Sequence, residues 1–201
     1  MFTNPVDLVW SLFRYNLSNL EEAEKDFERA LLLEKERGNG RSIPEHCIIV
    51  QNLYYRDIVR FGDQIERYLT YFDRQQMKIL IYDEFFRDLD VSYREVLEFL
   101  EVHPSQPVSK ERINEGEKYL THVGVRRFLG KHPRLKLLME RTLPLSVCKK
   151  IKATLAKIKG GNPPHLRQMN PETRQQLKEE FRPQIQKLAD LIYKDLSHWY
   201  Q

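Results

Sequence analysis

Apolar residues recur at helical spacing through most of the chain, and the pattern changes character only once. Val6, Val9, Trp10 and Phe13 form the first stripe. Asn4-Pro5 stands just ahead of it and predicts a helix start, because asparagine caps well and proline has no N–H to leave unpaired in the first turn. Leu20, Ala23, Phe27, Ala30 and Leu31 predict a second amphipathic helix, with Ser18 and Glu21 as its capping box and Gly38-Asn39-Gly40 as its end. A third helix is expected from roughly Leu53 to Phe72, carried by Tyr54, Ile58, Phe61, Ile65, Tyr68, Leu69 and Phe72. Tyr54, Tyr55 and Tyr68 on it read as core residues rather than a substrate platform.

After Asp73 the period changes. Met77, Ile79 and Ile81 alternate with Lys78, Leu80 and Tyr82, which predicts a central strand over residues 77–82. Asp90 can cap the next helix, whose Val96, Leu97 and Leu100 face inward, and Pro104 and Pro107 mark a loop. Cys148, Ile151, Leu155 and Ile158 share a helical face that Gly160, Gly161, Pro163 and Pro164 bring to an end. Asn170-Pro171-Glu172 repeats the start seen at Asn4, and Leu177, Phe181, Ile185, Leu188 and Ile192 line a last helix that Pro183 should kink or split. One strand cannot satisfy its own backbone groups. It must pair with further strands from elsewhere or with another stretch such as the stub at Met1-Phe2. The expected class is therefore α/β, mostly helical, with a small parallel sheet.

Composition narrows the class. With 201 residues, 41% of them hydrophobic and 31% charged, the chain is expected to form a single domain spanning residues 1–201. No apolar run approaches the roughly 20 residues that cross a bilayer, and the N-terminus lacks a signal-peptide pattern. Two cysteines, Cys47 and Cys148, are too few for a disulfide scaffold, and with no Cys/His cluster at metal-ligand spacing they point to a cytoplasmic protein without structural zinc. The total charge is +4, but from Lys118 to Arg167 thirteen Lys and Arg face one acid, Glu140. Such asymmetry is expected either of a protein with an anionic partner or of an ordinary solvated helix face.

Several segments, in order, resemble the sulfotransferases that use 3′-phosphoadenosine 5′-phosphosulfate (PAPS), especially their bacterial and cyanobacterial branch. Phe2-Thr3-Asn4-Pro5-Val6-Asp7 with Trp10-Ser11-Leu12 resembles the family's R-[DN]-P-x-[DE]-x-x-x-S motif. Tyr55-Arg56-Asp57-Ile58 through Gln64 to Leu69 is similar to the helix before the next strand. Phe72, Gln76 to Tyr82, Asp83-Glu84-Phe85 and Glu98-Phe99-Leu100 resemble the run that follows it. Asn170 to Arg174, Phe181-Arg182-Pro183 and Asp195-Leu196-Ser197-His198-Trp199 are similar to the closing helix and terminus.

The resemblance implies the mostly helical remnant of a three-layer, P-loop, nucleoside-kinase-like fold. It also implies transfer of a sulfuryl group from PAPS to a hydroxyl or amine acceptor, a glycan or a lipid among the candidates, without a metal; nucleic acid is not an expected partner. The family's P-loop, whose backbone N–H groups and lysine hold phosphate oxygens, has no counterpart in residues 1–201. Lys159-Gly160-Gly161-Asn162 follows a helix rather than a strand and is not one. The chain is thus expected to be an N-terminally incomplete sulfotransferase, incomplete or inactive as this chain alone, and no catalytic residue is assigned.

The other half of the donor site is represented. The family motif implies that its arginine and serine bind the 3′-phosphate. Ser11 matches the serine; Thr3, beside Asn4, stands where the arginine should be and brings no charge. Apart from the resemblance, Ser11 reads as a helix serine bonded to a backbone carbonyl. Lys159, His165 and Arg167 match a loop that closes over donor or acceptor, although His165 also reads as an ordinary loop histidine. The competing reading is a non-catalytic basic helical module that binds an anionic polymer or surface.

Overall fold

The computed structural model of the protein describes residues 1–103 and 168–201. These residues are mostly helical. The helices are α1 (Pro5–Asn19), α2 (Phe27–Gly38), α3 (Tyr55–Ile58), α4 (Phe61–Leu69), α5 (Tyr82–Arg87), α6 (Leu89–Phe99) and α7 (Pro171–Ile192). Tighter 3-10 turns lie at Val50–Leu53, Arg74–Gln76 and Ser197–Trp199. The expected loop at Pro104 and Pro107 and the helix through Cys148, Ile151, Leu155 and Ile158 lie outside the described residues.

The chain forms two compact units. One gathers Met1–Val9, the described part of Arg56–Ile113, and Pro171–Gln201; the other gathers Trp10–Tyr55 and the described part of Asn114–Asn170. The first is organised by α7. Leu177, Phe181, Ile185, Leu188 and Ile192 recur every three or four residues, so one face is apolar, and all five are buried. Each such burial stabilises by about 1.5–3 kcal/mol. Pro183 lies inside α7 without splitting it. It sits on the exposed face, where water can hydrate the carbonyl that its missing N–H leaves free, while Phe181 and Ile185 stay buried on the other side.

α4 packs against α7 at close range. A Cβ on Gly62 would lie 2.7–2.9 Å from Cβ, Cγ and Cδ of Lys187, so only glycine allows this approach. The Lys187 ammonium bridges Asp63 Oδ1 at 2.7 Å and Glu66 Oε2 at 2.8 Å, and Gln184 Nε2 donates to Asp63 Oδ2 at 3.1 Å. These bonds, led by that from Lys187, hold the Asp63 carboxyl down at about 2.

The predicted strand is reduced to one pairing. Residues 77–81 form no helix, and Ile81 meets Phe2 in an isolated parallel bridge, the only β-pairing among the described residues. Phe2 N donates to Leu80 O at 2.8 Å and Tyr82 N donates to Phe2 O at 2.7 Å. Of the six residues expected as a buried strand, only Ile81 is fully buried. The ladder cannot lengthen because Phe2 runs almost at once into α1, while Tyr82 opens α5 with Asp83 and Glu84 in its first turn.

The third predicted helix is broken into the 3-10 turn at Val50–Leu53, α3 and α4. Arg60 leaves helical geometry with ψ 57°, and the Gln64 amide takes up the Ile58 carbonyl at 2.9 Å. Tyr55 is a core residue as expected, but Tyr68 is 56% exposed. Asp88, rather than Asp90, caps α6 by accepting from Val91 N at 3.2 Å.

In the second unit, Phe13, Phe27 and Tyr55 form an aromatic cluster joined by Trp10, with ring centroids 5.1–6.3 Å apart. The expected capping box at Ser18 and Glu21 is absent. Ser18 still belongs to α1, and its hydroxyl donates back to Tyr15 O at 2.7 Å. Leu20 takes φ 65°, and the N–H groups of Glu21 and Glu22 close the helix on Asn16 O. α2 begins only where Asp26 accepts from Arg29 N at 2.9 Å.

Candidate functional site

Three of the residues assigned to the donor, Thr3, Asn4 and Ser11, lie just before α1 or within it. Phe2 is fixed by its bridge to Ile81, and Thr3 leads from it into the helix. Asn4 caps α1 as its sequence predicts: Oδ1 accepts from Val6 N at 3.0 Å, and Nδ2 donates to Trp199 O at 3.3 Å. Asp7 in the first turn suits the positive end of the helix dipole and accepts from Arg174 Nη2 at 2.7 Å. Trp199 is fully buried in the C-terminal turn, and its indole N–H has no hydrogen-bond partner among the described residues.

Ser11 lies further along α1, among the residues of the second unit, and is exposed. Its hydroxyl makes no hydrogen bond with the described residues. The ordinary fate of a helix serine is the one Ser18 shows, a bond to a carbonyl one turn back. Ser11 makes no such bond among the described residues. Arg14, three residues on, is partly exposed, and Tyr15, four residues on, is half exposed, so the three side chains share one face of the helix.

Thr3 and Asn4 belong to the first unit and Ser11 to the second. Lys159, His165 and Arg167 lie outside the described residues. As for the donor, the exposed Ser11 hydroxyl could donate to a phosphate oxygen, whereas Thr3 offers no charge, the Asn4 side chain is already engaged with Val6 N and Trp199 O, and no P-loop pattern occurs in the sequence. No group of three His, Cys, Asp or Glu among the described residues could hold a metal ion, and no described helix is long and apolar enough to cross a membrane.

A buried polar network in the second unit has no forewarning in the sequence. Glu22 and Arg37 are both almost wholly buried, with Arg37 Nη2 donating to Glu22 Oε1 at 2.7 Å. The same oxygen accepts from the N–H groups of Ala23 and Glu24, both at 2.9 Å, and Glu22 Oε2 accepts from Tyr55 OH at 2.9 Å. Burial first, and then the Glu22 charge, push the Tyr55 phenol far above its ordinary range. Asn16 ties α1 to the next segment by donating to Asn52 O at 2.9 Å. Glu22 stands in the polar run Glu21-Glu22-Ala23-Glu24-Lys25, whose composition reads as solvated surface.

No protein-family model matches the chain, and no curated protein matches it in sequence. Among solved structures it is similar to the crystal structure of a sulfotransferase from Alicyclobacillus acidocaldarius, with TM-score 0.60 and 23% identity. The match covers 100% of this chain and 56% of that one, so the chain spans little more than half the length of that protein. The chain has a sulfotransferase-like fold.

Proposed function

We propose that residues 1–201 are one sulfotransferase-like domain that takes part in moving a sulfuryl group from PAPS to a hydroxyl or amine acceptor. The observation that carries this reading is the likeness to a sulfotransferase along the whole chain. The Ser11 hydroxyl on α1, without a partner among the described residues, adds to it, since the R-[DN]-P-x-[DE]-x-x-x-S resemblance puts a phosphate-binding serine at that position. In this reading Ser11, Thr3 and Asn4 face the 3′-phosphate side of the donor, and Lys159, His165 and Arg167 belong to the loop that covers it. PAPS, when bound, supplies the sulfuryl group together with a phosphate leaving group. The chain's own residues contribute position and charge, which govern transfer of this type.

The phosphosulfate cradle is not among these 201 residues, so binding to the 3′-phosphate side alone should be weak. Calorimetric titration with adenosine 3′,5′-bisphosphate and with adenosine 5′-phosphate tests this. Weak binding that favours the bisphosphate is expected. Sub-micromolar affinity would contradict an incomplete site, and equal affinity for both nucleotides would contradict recognition of the 3′-phosphate.

A further inference from the structure

We propose that Arg14 supplies the phosphate-binding charge that Thr3 lacks, acting with Ser11 from the same face of α1 on a nucleoside 3′-phosphate. The inference rests on the donor reading above. Residues three apart on a helix have Cβ atoms about 5–6 Å apart, so a phosphate held by the Ser11 hydroxyl lies within reach of an arginine at position 14.

Arg14, like Arg41, has no ion pair with the described residues, whereas two other arginines of its unit are paired. In the same unit Arg37 is matched to Glu22, and Arg29 to Glu24 at 3.2 Å. Asp26 is occupied in capping α2, and Glu36 accepts from the Ser42 hydroxyl. Arg14 has neither an ion pair nor a side-chain hydrogen bond with the described residues, although it is only partly exposed. A guanidinium with five donors and no acceptor next to a serine with an unused hydroxyl is suited to a phosphate, which arginine can bind with two parallel bonds. Tyr15, on the other side of Ser11, is half exposed and makes no ring contact or side-chain hydrogen bond with the described residues.

The test is titration of the full chain and its variants with adenosine 3′,5′-bisphosphate and adenosine 5′-phosphate at one fixed ionic strength. Arg14→Gln should lose about ten-fold in affinity for the bisphosphate and little for the monophosphate. Arg14→Lys should recover part of the loss, because lysine restores the charge but not the paired geometry. Lys35→Gln, which removes an exposed charge elsewhere in the unit, should leave the preference unchanged. If Arg14→Gln keeps the wild-type preference while Ser11→Ala loses it, the role of Arg14 is refuted and the donor reading stands. If the wild type itself shows no preference for the bisphosphate, both fail.

Discussion

Glu22 shows how one carboxylate can organise a fold. It accepts from a guanidinium, a phenol and two backbone N–H groups while almost wholly buried. Removing one partner of such a pair leaves the other charged in a low-dielectric setting, which costs about 3–5 kcal/mol. Arg37→Met should therefore destabilise the protein by that amount in chemical denaturation, and a loss below 1 kcal/mol would mean that Glu22 is already satisfied without Arg37. Tyr55→Phe removes a single donor and should cost about 1–3 kcal/mol. At Asp63 the bond from Lys187 depresses the carboxyl to about 2, below the ordinary 3.8. A carboxylate with a lowered folded value stabilises the protein above the unfolded value, and that contribution is lost as pH falls from about 4 towards 2. Asp63→Asn should flatten the acid limb of the stability profile; an unchanged limb would place the acid sensitivity elsewhere.

Helix starts were the most legible elements, because their signals are local. Asn4-Pro5 and Asn170-Pro171 open α1 and α7 where the sequence puts them. The spacing of Leu177, Phe181, Ile185, Leu188 and Ile192 identified the buried face of α7. Starts that compete with a neighbouring helix end were misread. Ser18 and Glu21 have the capping-box spacing, yet α1 continues through Ser18 and closes on Asn16. The break at Arg60 was also hidden, since helical spacing persists across Ile58, Phe61 and Ile65. Nor did Gly62 announce its function: it reads as a weak point in a helix, whereas it sets the separation of α4 and α7. Gly62→Ala would ordinarily favour the helix by about 0.5–1 kcal/mol. Here the methyl group meets Lys187 Cβ at 2.8 Å, an atom too close to the backbone to swing away. A net destabilisation of about 1–3 kcal/mol is expected from overpacking, and a thermal melt showing a gain would contradict the packing described.

At the scale of the molecule, the fold was legible through the order of its motifs rather than through any one of them. Their succession from Phe2-Thr3-Asn4-Pro5 to Asp195-Leu196-Ser197-His198-Trp199 pointed to a sulfotransferase-like chain, and a solved sulfotransferase matches its fold from end to end. That the Ser11 hydroxyl has no partner among the described residues could not be read from sequence, because Ser18, the same residue type in the same helix, is bonded to the backbone. The chemistry at Thr3 gives the most direct test of the whole account. If this corner faces the 3′-phosphate, Thr3→Arg adds a charge-assisted hydrogen bond, which contributes about 1.5–3 kcal/mol. Calorimetry at fixed ionic strength should then show a gain of roughly ten-fold or more for adenosine 3′,5′-bisphosphate and far less for adenosine 5′-phosphate. Equal gains for the two nucleotides would mean that the new arginine adds only bulk positive charge, and would contradict the assignment of this corner to the donor.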